Sequence, residues 1–149
     1  MERQITAPEQ TSSHVIRSIV NNDLRITPTG ITPGVNFLKE KKYLLIKGRS
    51  CPDDAMLFYS RIYKSLDHYF NSGSSILTVY ISLEYFNTSS AKCLFGLFKK
   101  LQENSNQSEM TISVNWYYES DDADMLEAGE DFSDFFNYNF NLVPMEPQT

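Results

Sequence analysis

Two stretches of the chain alternate apolar and polar residues with a period of two. From Ser75 to Phe86, Leu77, Val79, Ile81, Leu83 and Tyr85 point one way, and Thr78, Tyr80, Ser82 and Glu84 the other. In MTISVNWYY (110–118), Met110, Ile112, Val114 and Trp116 face in, and Thr111, Ser113 and Asn115 face out. Such alternation predicts strands with one buried and one wetter face. KYLLIKG (42–48) reads as a shorter strand stopping at Gly48. NFNLV (139–143) is a candidate edge strand.

Between the strands the period changes to that of a helix. Pro52-Asp53-Asp54 opens one, because proline and acids suit a first helical turn. Ala55, Tyr59, Ile62, Leu66 and Tyr69 form its apolar stripe, and Asn71-Ser72-Gly73 ends it. A second helix over 88–103 is capped by Asn87, Thr88 or Ser89 and turns Ala91, Leu94, Phe98 and Leu101 inward. Cys93, Phe95 and Leu97 widen that apolar surface, as further core or as a partner face. ESDDADMLEAGEDF starts a third helix, with a break expected at Gly129. One wetter sheet face means that the helices gather on the other, an α+β arrangement. TPTGITPG (27–34) reads as loop.

The 149 residues suit one domain with one core. Residues 1–23 read as a loosely ordered extension, 24–145 as the domain and 146–149 as a tail. No apolar run is long enough for a membrane span, and no secretory signal precedes the domain, so the expectation is a cytoplasmic protein without a membrane partner.

Charge sharpens the picture. All 13 Lys and Arg lie in residues 1–100 beside 8 acids, whereas residues 101–149 hold 11 acids and no basic residue. An acidic chain without a basic stripe is a poor nucleic-acid binder. The acids Glu119, Asp121, Asp122, Asp124 and Glu127 lack the glycine and the ligand offsets of an EF-hand loop, and read as a solvated helix start. Two cysteines and two isolated histidines make neither a disulfide scaffold nor a His-rich metal site. With no nucleophile–base or cofactor motif, the expectation is no catalytic residue, no cofactor and no metal.

The junction Glu84-Tyr85-Phe86-Asn87-Thr88-Ser89-Ser90 joins the best strand to a helix N-terminus. Free amides and the helix dipole there favour a phosphate. The same residues are also ordinary helix caps, and the local pattern leaves both readings open.

GRSCPDDA (48–55), LEYFNTSSAK (83–92) and NWYYESDDADMLEAGEDF (115–132), with the looser ITPTGITPGVNF (26–37), resemble the SiaC family of bacterial regulatory phosphoproteins over about residues 24–143. The resemblance implies a STAS-like domain, similar to anti-sigma factor antagonists: a mixed sheet of four to five strands with helices mainly on one face. It implies that Thr88 is the phosphoacceptor, served by a Ser/Thr protein kinase and a metal-dependent Ser/Thr phosphatase. The unphosphorylated form would bind an output protein such as a diguanylate cyclase, promoting cyclic-di-GMP signalling and biofilm formation. Tyr85, Phe86, Asn87, Ser89, Ser90 and Lys92 would form the partner surface. Two rival readings are a STAS-like module for a small molecule or nucleotide, stabilised thermally by its ligand, and a small enzyme that loses turnover when Asp122 and Asp124 are neutralised.

Residues 1–22 are polar and lie outside the resemblance. Their deletion is expected to leave the melting temperature and partner binding nearly unchanged. A large fall in melting temperature would show that Val15–Val20 packs on the core.

Overall fold

The computed structural model describes residues 23–107, 110–136 and 138–147. Expectations about residues 1–22 and about the last two residues lie outside that range. The element order is β1 (Leu24–Ile26), β2 (Gly34–Leu38), β3 (Tyr43–Ser50), α1 (Ala55–Phe70), β4 (Ile76–Phe86), α2 (Thr88–Gln107), β5 (Thr111–Glu119), α3 (Ala123–Phe135) and β6 (Asn139–Met145). Among the described residues no helix is long and apolar enough to cross a membrane.

The strands form one mixed sheet in the order β1-β2-β3-β4-β5-β6. β1, β2 and β3 pair antiparallel, and β3 to β6 run parallel. Each parallel neighbour is reached through one helix. Right-handed crossovers in strictly sequential order put the three helices of the described residues on one face. The core agrees: Leu44, Ile46, Leu77, Val79, Ile81, Ile112, Val114 and Trp116 share one buried cluster with Tyr59, Ile62, Leu66, Leu94, Phe98 and Met125. The intervening Thr78, Tyr80, Ser82, Ser113 and Asn115 are only half-buried.

The α+β architecture agrees with the sequence reading, with six strands in place of four or five. The additional pair, β1 and β2, has only three and five residues and flanks the expected loop. Strands so short give the alternation too few positions to register. β3 runs past Gly48 to Ser50, because Gly48 takes a positive φ of 124° that glycine tolerates and keeps pairing with β4. α3 does not break at Gly129. That glycine is buried within the helix, where an added Cβ would lie 2.5 Å from Trp116 Cδ1 and 2.8 Å from Leu142 Cδ2. Its role is close approach to the sheet. The Trp116 indole in turn donates to Met125 O at 3.0 Å.

Tyr85 departs from the alternation for a definite reason. Gly48 pairs with Leu83, but Arg49 pairs with Tyr85, so Glu84 is an extra residue in β4. This bulge reverses the parity of the strand. Phe86 now packs toward Trp116 and Phe132, and Tyr85 is 46% exposed beside Arg49.

Gly129→Ala should therefore destabilise the fold by about 1–3 kcal/mol through overpacking against Trp116. Gly30→Ala, with open space around its Cβ, should be near neutral. Urea denaturation of both variants checks this.

Candidate functional site

The C-terminal ends of β3, β4 and β5 and the N-terminal ends of α1, α2 and α3 meet at one end of the sheet. Asp54 caps α1, its Oδ1 accepting from Leu57 N at 3.0 Å, and Asp122 caps α3, its Oδ1 accepting from Met125 N at 3.0 Å. α2 is capped by a neutral group: Asn87 Oδ1 accepts from Ser90 N at 2.9 Å. Its first turn also lacks acidic residues. Among the dipoles of α1, α2 and α3, that of α2 is left without a carboxylate at its positive end.

The cap leaves the three hydroxyls that follow in different states. Thr88 and Ser89 are exposed, whereas Ser90 is fully buried. Neither Thr88 nor Ser89 caps the helix through its hydroxyl; Asn87 does, because its amide arm already reaches the third amide of the helix. Ser90 Oγ accepts from Ser50 Oγ at 2.8 Å, and Ser50 Oγ lies 2.8 Å from Tyr59 Oη. Ser50 has one proton and gives it to Ser90, so Tyr59 must donate to Ser50. All three residues have zero exposure. Ser50 also accepts from Asn87 N through its carbonyl at 3.1 Å. It thus grips the turn on both sides of Thr88 and Ser89, at Asn87 and at Ser90.

The surroundings are aromatic and acidic. Arg49 lies over the Tyr85 ring, 5.1 Å from its centroid. A cleft of about 320 Å³ is lined by Glu84, Tyr85, Phe86, Asp122, Asp124 and Met125, among others. The acids of the 119–124 turn line a wider opening beside it. Lys92 is exposed one turn along α2. Among the described residues no three His, Cys, Asp or Glu side chains cluster as metal ligands would.

Of the residues singled out from sequence, Tyr85, Asn87, Thr88, Ser89 and Lys92 thus sit together at an accessible surface. Phe86 is half-buried against Trp116 and Phe132. Ser90 is a correction to the partner surface: its hydroxyl is sealed under the turn by Ser50. Phe95 resolves the surplus apolar face of α2, being 37% exposed and packed on Phe135 and Phe136, while Cys93 and Leu97 are core. Arg49, Ser50 and Tyr59 received no role from sequence. The available signal was Ser50, a hydroxyl on the core parity of Leu44 and Ile46, and Tyr59, a tyrosine in an apolar stripe that needs a buried partner.

The sequence profile described as "SiaC family regulatory phosphoprotein" matches residues 26–145. An uncharacterised protein of Pseudomonas aeruginosa (strain UCBPP-PA14) is 24% identical over 121 residues, spanning 81% of this chain and 95% of that protein. The fold is similar to apo-SiaC from Pseudomonas aeruginosa, with a TM-score of 0.75 at 24% identity over 81% of this chain and 98% of that one. It is also similar to SiaC in complex with the diguanylate cyclase SiaD, which SiaC activates. There the TM-score is 0.79 at 23% identity, over 83% of this chain and 100% of that one.

Burial of Tyr59 pushes its phenol up to about 12. A raised phenol pKa stabilises the fold fully below pH 10, and the gain is lost as pH rises from 10 toward 12, since the unfolded phenol ionises first. Tyr63, Tyr69 and Tyr138 are raised by burial as well. Urea midpoints measured from pH 8 to 12 should fall steeply above 10, with part of that fall absent in Tyr59→Phe. At neutral pH, Ser50→Ala should cost about 1–3 kcal/mol by stranding the Tyr59 and Ser90 hydroxyls.

Proposed function

This chain belongs to the SiaC family of regulatory phosphoproteins, and from that premise we propose that it is a phosphorylation-controlled binding switch with no active site of its own. Thr88 is its phosphoacceptor. The bare form binds and regulates an output protein, a diguanylate cyclase by analogy with the SiaC–SiaD pair. A Ser/Thr kinase adds the phosphate and a metal-dependent Ser/Thr phosphatase removes it, in the cytoplasm.

The observation that carries this reading is the state of the three hydroxyls after Asn87. Ser90 is sequestered, while Thr88 is exposed at the first helical position with its hydroxyl free of the cap. A phosphate there meets the positive end of the one described helix whose cap is uncharged, so the fold tolerates it. A partner fitted to the bare surface does not. It must desolvate about two negative charges, or set its own acids against them. Glu84, Asp122 and Asp124 line the neighbouring cleft and make the added charge harder to place. Tyr85, exposed by the bulge, is the aromatic anchor of the contact.

The test is titration of a purified diguanylate cyclase against Thr88→Ala, Thr88→Glu and the phosphorylated chain, with phosphosite mapping of the protein from its own cells. Thr88→Ala should bind as the bare form does. The phosphorylated chain should bind about a hundredfold more weakly, the equivalent of about 2.7 kcal/mol. Phosphate found only on Ser89, or equal affinities of the bare and phosphorylated forms, sinks the switch.

A further inference from the structure

We propose that Arg49 is the receptor for the phosphate on Thr88, and that it leaves the Tyr85 ring to bind it. The assignment rests on Thr88 as acceptor and adds what the modification does inside the protein. Three observations lead to it. The bulge at Glu84 brings Arg49 level with Tyr85, so that both project at the exposed end of the paired strands. Arg49 and Thr88 then flank a single hydrogen bond, Asn87 N to Ser50 O at 3.1 Å, each being the chain neighbour of one of its partners.

The third observation is that the guanidinium is uncommitted. The ion pair among the described residues joins Lys100 to Asp67, and none of the described carboxylates lies within 4.0 Å of Arg49. It rests instead on the ring of Tyr85. An exposed cation–π contact is weak, whereas a guanidinium can meet a phosphate with two parallel charge-assisted hydrogen bonds. Lys92, the other nearby cation, offers only a point charge on a flexible stem. The carboxylates of Glu84, Asp122 and Asp124 line the neighbouring cleft and disfavour further negative charge at this end of the sheet, so Arg49 supplies the compensating charge. Phosphorylation then alters the partner surface twice, by adding charge and by uncovering Tyr85.

The experiment uses full-length chain carrying phosphothreonine at position 88, installed during translation so that no kinase is needed. The second ionisation of the phosphate is followed by ³¹P NMR across pH, in the wild type and in Arg49→Ala, Arg49→Lys and Lys92→Ala. A neighbouring cation favours the dianion and lowers this pKa from about 6. Removing Arg49 should raise it by about half a unit or more, Arg49→Lys should raise it less, and Lys92→Ala should raise it least. The Tyr85 ring resonances should shift on phosphorylation in the wild type and stay in place in Arg49→Ala. Equal titrations of wild type and Arg49→Ala overturn the assignment, as does a larger effect of Lys92→Ala. If Arg49→Ala unfolds, Arg49→Lys decides in its place, because it keeps the charge and loses the fork: a titration equal to the wild type's then overturns the assignment. Partner affinity is not read, so failure here leaves the switch standing, and a partner indifferent to phosphate leaves this titration valid.

Discussion

Ser50 is the point on which the site turns. Its carbonyl holds the amide of Asn87, and its hydroxyl links Tyr59 to Ser90. One residue at the end of β3 therefore fixes both sides of the turn that begins α2, and ties that turn to α1. The chain of hydroxyls has no access to water, so each must keep its partner or remain unsatisfied in the core. That penalty keeps Ser90 inward, and with it the outward aim of Thr88 and Ser89. Tyr63 adds a second tie between the same helices by donating to Cys93 O at 2.6 Å. The turn sits on a braced support, although the side chains of Thr88 and Ser89 are exposed.

The central fold was legible because its signal is long. β4 and β5 are eleven and nine residues long and alternate up to Leu83 and Trp116, and the stripe Ala55, Tyr59, Ile62, Leu66, Tyr69 is buried as its spacing requires. What escaped was set by single residues acting across the chain. Nothing local marks Glu84 as an extra residue, since the bulge exists only in the pairing of β4 with β3. The alternation alone therefore put Tyr85 on the buried face, although the family resemblance counted it in the partner surface. Gly129 read as a helix break, because its purpose depends on Trp116 and Leu142 from two other elements. The NTSS turn stood out from its residue types, but the choice of Asn87 as cap and the burial of Ser90 needed Ser50, 40 positions away from Ser90. GRSCPDDA and LEYFNTSSAK stood out separately, and in the fold they are two halves of one junction.

Charge is distributed unevenly among the helix starts. Asp54 and Asp122 compensate α1 and α3 with carboxylates, and Asn87 closes α2 with an amide. An aspartate at position 87 would cap equally well, but it would place a negative charge beside the hydroxyl of Thr88. The neutral cap leaves the helix end able to accept an anion that arrives later. The acids elsewhere on this end of the molecule leave the surroundings unattractive to stray anions.

The hydroxyl of Thr88 is exposed and forms no hydrogen bond with the rest of the described chain. A phosphate there would break no hydrogen bond and would meet the uncompensated end of α2, so it would hold the folded state rather than weaken it. Degradation in a cell follows the unfolded population, so the marked form would last at least as long as the bare one. Under the proposed switch, a fall in output would then report the mark itself and not the loss of the protein.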